Sequence, residues 1–157
     1  MAKAYFAGGC FWGIEDAYRK VPGVSDAISG YANGKVPNPT YAQVCTGSTD
    51  HAETVEVIYD PAKVSYEDLI LLFWKLHDPT QWNRQGPDLG TQYRSAIFTL
   101  NEEETAKATA SKAALDASGA LPKEAVTLIE PLDTFYAAED YHQRYFEKRS
   151  KGGFQAG

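Results

Sequence analysis

Residues 3–23 read KAYFAGGCFWGIEDAYRKVPG, and the order of events along this stretch sets the expected architecture. Residues 3–7 carry the two-residue alternation of a strand. Gly8-Gly9 then lets the chain turn sharply. Beyond the turn, Phe11, Ile14, Ala17, Tyr18 and Val21 recur at helical spacing until Pro22-Gly23 stops them. Strand, tight turn and helix are predicted in that order, with Cys10 at the junction.

Outward from this unit the same alternation of element types continues. Residues 24–31 read as a second strand closed by Asn33-Gly34, and the stretch 37–40 as a loop whose end caps a short helix over 41–44. In residues 52–60 the strand pattern is clearest: Glu53, Val55, Val57 and Tyr59 share one face, and Thr54, Glu56 and Ile58 the other. Glu53 therefore sits on the more apolar face. Ser65 followed by Asp68 opens a helix to about residue 77 in capping-box fashion, and Asn101 with Glu104 opens an Ala- and Lys-rich helix ending before Gly119. Strands are predicted at 95–100 and 126–131. A last helix is predicted over about 137–148, where Tyr141 pairs with Tyr145 and His142 with Phe146 at i, i+4, an aromatic stripe read as core packing. Strands and helices interleaved without repeat or linker imply an α/β sandwich, helices packed on a mixed sheet. One segment breaks the regularity: residues 78–94 pass seventeen positions through Pro79, Gly86, Pro87 and Gly90 without a period, and long irregular loops in compact domains are often functional.

The bulk properties exclude several classes. A chain of 157 residues, 43% hydrophobic, is expected to form one domain over residues 1–157. Its formal charge of −6 comes from carboxylates spread along the chain, with no basic stripe to follow a phosphate backbone, so nucleic acid is not an expected partner. The longest apolar run, residues 69–74, is far short of a membrane span, and the N-terminus has no secretory pattern. No membrane partner is expected, and a cytoplasmic location is. Two cysteines do not make a disulfide scaffold, and Cys10 and Cys45 with His51, His77 and His142 lack the paired spacings of structural zinc sites. Neither metal nor cofactor is called for. Ten Tyr, seven Phe and three Trp, many beside Gly or Pro, favour a lined pocket.

The residue that carries chemistry is Cys10. At the start of a helix, backbone N–H groups and the helix dipole favour a thiolate, and the glycines leave the sulfur accessible. Phe11 and Trp12 beside it are placed to form a small apolar cup, although aromatics at a helix start usually just pack. On these residues alone, a thiol peroxidase, a thiol hydrolase with a distant His base, and a peptide-binding module with a structural Cys10 all stay open.

The complete string Gly8-Gly9-Cys10-Phe11-Trp12-Gly13 resembles the catalytic motif of the A-type peptide methionine sulfoxide reductases. The likeness continues through Gly30-Tyr31, Pro39-Thr40-Tyr41, His51-Ala52-Glu53, His77-Asp78-Pro79-Thr80, Arg84-Gln85-Gly86, Tyr93-Arg94-Ser95-Ala96-Ile97 and Ala138-Glu139-Asp140-Tyr141-His142-Gln143, in the family's order. It implies a fold related to the ferredoxin-like two-layer sandwich, reduction of methionine S-sulfoxide, free or in oxidised proteins, and a sulfenic acid intermediate on Cys10. By the same resemblance Glu53 is the acid, Tyr41 and Tyr93 bind the sulfoxide oxygen, Asp88 is a supporting carboxylate, and Phe11 and Trp12 form the methyl pocket. The chemistry agrees, because a sulfoxide sulfur becomes a good electrophile only as its oxygen is protonated or strongly hydrogen-bonded. A desolvated Glu53 has the raised pKa this requires. His51, beside Glu53, and His77, beside Asp78-Pro79, are read as structural or as supports behind the site residues, and His142 as helix packing.

One departure concerns recycling. Many family members resolve the sulfenic acid with a cysteine in a Gly-rich tail, and residues 151–157, KGGFQAG, contain none. Cys45 is the internal candidate, but a small buried cysteine after a short helical turn is the expectation there. A one-cysteine cycle is favoured instead, in which glutathione with glutaredoxin, or thioredoxin, supplies the thiol.

Overall fold

The computed structural model describes residues 1–151, with side chains to residue 149, so all but the first residue of the tail that carried the expectation about recycling, residues 152–157, lies outside the described residues. Six strands form a mixed sheet in the order β7-β6-β1-β3-β2-β8: β1 (Ala2–Gly8), β2 (Val24–Ala32), β3 (Ala52–Tyr59), β6 (Ser95–Thr99), β7 (Leu128–Pro131) and β8 (Phe135–Ala137). Neighbouring pairs are antiparallel except β6 with β7, which run parallel because the long helix α4 (Glu102–Ala117) crosses over between them.

Alternation along β1 and β3 divides the core. Ala4 and Phe6 of β1 and Val55, Val57 and Tyr59 of β3 face helices α1 (Phe11–Arg19) and α3 (Tyr66–Leu76), which bring Phe11, Ile14, Tyr18, Leu69, Ile70 and Phe73 against them. Tyr5 and Ala7 face the other way, into a smaller cluster with Ala96 and Phe98 that Leu128 and Phe135 cover. The α/β class expected from the interleaved elements is the architecture found. The caps formed as well: Ser65 and Asp68 make a reciprocal capping box, Asn101 accepts from the Glu104 N–H, and Thr40 with Gln43 caps the short helix α2 (Tyr41–Cys45).

Two expectations need correction. Residues 78–94 are not wholly irregular, since Arg84–Gln85 (β4) and Asp88–Leu89 (β5) pair as a small hairpin followed by a 3-10 turn at Thr91–Tyr93. The helix expected over 137–148 is also not there. Residues 135–137 join the sheet edge as β8, residues 140–142 form a 3-10 turn, and the last helix, α5, spans Tyr145–Lys151. The break is built from side chains that outbid the helical bonds. Gln143 takes extended backbone and its amide spans Ser29, accepting from the Ser29 N–H and donating to the Ser29 and Ala138 carbonyls. Arg144 then lies at φ 54, its N–H donating at 2.7 Å to the buried Glu15 carboxylate. The i, i+4 aromatic pairs straddle this break, so their spacing did not report one helix.

Glu15 is the anchor of that arrangement. It is 1% exposed and receives Arg19 Nε at 2.8 Å, Ser29 Oγ at 2.7 Å and the Arg144 N–H, tying α1 to β2 and to the closing segment. Replacing Glu15 by Ala leaves three donors, the buried Ser29 hydroxyl and the part-buried Arg19 Nε and Arg144 N–H, without this acceptor. The expected cost is about 3 kcal/mol or more, read as a lower midpoint in urea unfolding. An unchanged midpoint would mean that these bonds contribute nothing net.

Candidate active site

Four parts of the chain converge on Cys10. The turn that presents it needs glycine at position 9, where φ is +94 and an added Cβ would stand 2.7 Å from Gln85 Cγ. That contact also seats the β4–β5 hairpin, which carries Asp88, against the turn. Cys10 occupies the N-cap position of α1, half-buried, its sulfur facing the Trp12 backbone N–H.

Glu53 arrives from the middle of the sheet. Its residue is 1% exposed, its Oε1 accepts the Phe11 N–H at 3.1 Å, and its Oε2 is buried without a hydrogen-bond partner among the described residues. Burial pushes the Glu53 carboxyl up to about 8, against the Phe11 N–H, which favours the charged form, and with the Asp88 charge adding to the rise. The expectation of a neutral carboxylic acid on an apolar strand face therefore holds in direction and cause. The unpartnered oxygen leaves room for a proton that no protein group accepts among the described residues.

The expectation for Cys10 does not hold in the same way. Burial pushes its thiol up to about 11; the Trp12 N–H pulls in the expected direction but is outweighed, and the Glu53 and Asp88 charges raise it further. Burial thus favours the protonated form of both groups, a thiol and a carboxylic acid within electrostatic reach of one another. The helix start is real, but desolvation is the larger effect.

Tyr41 and Tyr93 complete the polar side. Burial raises both hydroxyls, and both feel Glu53 electrostatically, so each remains a proton-bearing donor. Tyr41 is held by its own N–H on Glu139 Oε2 at 2.9 Å, and the other oxygen of Glu139 takes the Tyr31 hydroxyl at 2.7 Å. Asp88 lies within electrostatic reach of Cys10, Glu53 and Tyr93. On the apolar side Phe11 is fully buried, its ring 6.5 Å from that of Tyr41, while Trp12 stays partly exposed and stacks on Tyr145 with 3.8 Å between centroids and 7° between planes. All seven residues expected at the site, Cys10, Phe11, Trp12, Tyr41, Glu53, Asp88 and Tyr93, gather in this one region.

Cys45 joins them against expectation. It is exposed rather than buried, and it lies within electrostatic reach of Tyr41, Cys10 and Tyr93. His51 and His77 are structural, as expected: His51 Nδ1 accepts the Gly34 N–H while its Nε2 meets the Val36 carbonyl, and His77, pushed down to about 4 by burial, bridges the Phe73 carbonyl and Ser95 Oγ. His142 is not packing inside a helix. It sits on the 3-10 turn and accepts the Trp12 indole N–H. Neither His142 nor Glu139 was expected to touch the site residues, because contacts 98 and 130 positions apart leave no periodic trace.

Comparison with known proteins agrees with this geometry. The family model described as peptide methionine sulfoxide reductase matches residues 2–156. The peptide methionine sulfoxide reductase MsrA of Methanoculleus marisnigri is 55% identical over 152 residues, covering 97% of this chain and 93% of that protein. Its counterpart from Methanosarcina acetivorans is 57% identical over 149 residues, 95% of this chain and 79% of that protein. Among solved structures, reduced Mxr1 from Saccharomyces cerevisiae superposes with a TM-score of 0.89 at 39% identity, over 96% of this chain and 87% of that one. Methionine sulfoxide reductase A of Corynebacterium diphtheriae gives 0.84 at 40% identity, over 94% and 74%. With the match running nearly end to end and the fold shared, the chain belongs to the peptide methionine sulfoxide reductase family.

Proposed function

We propose that this protein is a thiol-dependent enzyme that reduces the S epimer of methionine sulfoxide, free or in oxidised proteins, with Cys10 as nucleophile and Glu53 as acid, working as a single domain in the cytoplasm. The observation that carries the reading is the buried, unpartnered Oε2 of Glu53, whose carboxyl burial pushes up to about 8, on a residue within electrostatic reach of Cys10. The Cys10 sulfur bonds to the sulfoxide sulfur as its own proton leaves, and Glu53 delivers a proton to the oxygen. The thiol proton restores Glu53. Transfer of the hydroxyl to Cys10 then releases methionine and leaves a sulfenic acid, so that one thiol and one sulfoxide become one sulfenic acid and one thioether. Tyr41 and Tyr93 orient the oxygen, Asp88 helps keep Glu53 protonated, and Phe11 with Trp12 receives the methyl group.

Location is supported by thiol chemistry that needs reducing surroundings, and among the described residues no helix is long and apolar enough to cross a membrane. Dithiothreitol-driven assays on separated N-acetyl methionine S- and R-sulfoxide test the reaction. Turnover of S alone supports it, and equal turnover of both epimers overturns the stereochemical assignment.

For recycling, an external thiol attacks the sulfenic acid, releasing water, and a second thiol frees Cys10. A crystallised complex of yeast Mxr1 with Trx2, which this fold matches with a TM-score of 0.65 at 28% identity, supports a thioredoxin as one such donor; glutathione with glutaredoxin is the other. The exposed Cys45 thiol favours a second reading, internal resolution. Mass spectrometry after oxidation with sulfoxide and addition of glutathione distinguishes them: a mixed disulfide on Cys10 is expected, and a Cys10–Cys45 disulfide would replace the external cycle by the internal one.

A further inference from the structure

The closing segment that replaces the expected helix does more than complete the sheet. It places His142 against the wall of the pocket. The His142 ring is 1% exposed, and its centroid lies 5.3 Å from that of Phe11, 4.3 Å from that of Tyr41 and 5.7 Å from that of Trp12. Its Nδ1 accepts the Trp12 indole N–H at 3.0 Å. An indole nitrogen only donates, so Nδ1 is bare and the ring hydrogen sits on Nε2. Burial lowers the pKa of His142 and so favours the neutral form that can accept; the Glu139 charge opposes this but is outweighed.

The bond to Trp12 is the one hydrogen bond this ring makes among the described residues, because Nε2 has no partner there. For packing alone, an apolar ring would fill the same space without burying an unpaired donor. The placement makes sense if the imidazole is there to hold the indole. Trp12 is fixed twice over: its edge by His142, and its face by the parallel stack of Tyr145. The residues that hold it flank Arg144, whose left-handed backbone is pinned by Glu15, so both are delivered by one short segment.

We infer that His142 is a positioning residue, which through its hydrogen bond sets the orientation of the Trp12 indole and thereby the fit of the methyl pocket beside Cys10. This rests on the reading of Trp12 as a pocket wall. Its consequence is on substrate recognition rather than on the chemical step: an indole held only by its stack on Tyr145 shifts within that plane and loosens the pocket, so KM for the S-sulfoxide rises while kcat changes little.

The test compares wild type, His142→Phe, His142→Asn, Trp12→Phe and the double variant His142→Phe with Trp12→Phe, all as full chains. Kinetics are measured on N-acetyl methionine S-sulfoxide, and protein labelled with 15N-tryptophan reports the Trp12 indole N–H, identified as the resonance that Trp12→Phe lacks. His142→Phe is expected to move that resonance upfield and to raise KM about tenfold, the loss of roughly one hydrogen bond's discrimination, with kcat within about threefold of wild type. His142→Asn, whose amide oxygen can take the place of Nδ1, is expected to restore most of both. In the double variant KM should match that of Trp12→Phe alone, because His142 acts only through the indole. An unmoved indole resonance or unchanged KM in His142→Phe, no recovery in His142→Asn, or effects that simply multiply in the double variant, overturns the role of His142. An unchanged KM in Trp12→Phe overturns the pocket reading itself, separately. If His142→Phe does not fold, the wild-type spectrum and His142→Asn decide: an indole proton without the downfield shift of a strong hydrogen bond overturns the proposal.

Discussion

Cys10→Ser is expected to lower reduction of N-acetyl methionine S-sulfoxide by at least about a thousandfold, the loss of about 4 kcal/mol or more of transition-state stabilisation. The serine retains the size and position of the thiol, so substrate still meets Phe11 and Trp12 and still faces the Glu53 proton. It lacks the soft nucleophile that can bond to sulfur and then carry the oxygen away. Stopped assays with dithiothreitol, together with intact-mass detection of the oxidised enzyme, provide the check. The wild type should gain the mass of one oxygen on Cys10 when no reductant is present, and the variant none. Residual turnover within tenfold of wild type would mean that the oxygen leaves by a route not involving Cys10, and the assignment of nucleophile would fall.

Glu53→Gln is the second large effect, expected at about 10²- to 10⁴-fold on kcat, the range for loss of a positioned acid. The amide can still donate a hydrogen bond to the oxygen but cannot give up a proton, which separates acid catalysis from simple orientation. The pH dependence should follow. With the carboxyl pushed up to about 8, wild-type activity that depends on its neutral form is expected to fall as pH rises through that value, and the variant should lose this limb of the profile. The same shift has a consequence for stability. Because the folded protein holds this proton more tightly than the unfolded chain, with its ordinary value of 4.5, the contribution is fully present below about 4.5 and is lost as pH rises through about 8. At about 1.4 kcal/mol per unit the loss is a few kcal/mol. Glu53→Gln should therefore be more stable than wild type in urea at pH 9, with the difference shrinking toward pH 5. If the two proteins show the same pH profile, the ionisation belongs to another group.

Much of this was legible in the chain. The strand, glycine turn and helix of residues 3–23 were apparent from alternation and spacing, and β1 (Ala2–Gly8) and α1 (Phe11–Arg19) stand where that pattern put them. Glu53 was visible as a carboxylate on the apolar face of its strand, and burial raises its pKa as that placement implied. The roles of Tyr41, Tyr93 and Asp88 came from likeness to a family, since a tyrosine opening a short helix, a tyrosine in a turn and an aspartate beside proline do not by themselves announce chemistry. Where sequence spacing misled, a long-range partner had outweighed it. The i, i+4 aromatics at 141–146 suggested one helix, but Gln143 found Ser29 and Arg144 found Glu15, more than a hundred positions away.

Local order and chemical type were determined by the sequence itself, because side-chain periodicity and glycine conformations act over a few residues. Whether Cys10 rests as thiol or thiolate, whether Cys45 is buried or exposed, and what His142 touches were decided only by the tertiary structure. Desolvation and hydrogen-bond partnership depend on which distant segments cover a group. For Cys10 the balance between a helix start that favours the anion and a buried surrounding that opposes it exists only once β3, the β4–β5 hairpin and α2 have closed around it.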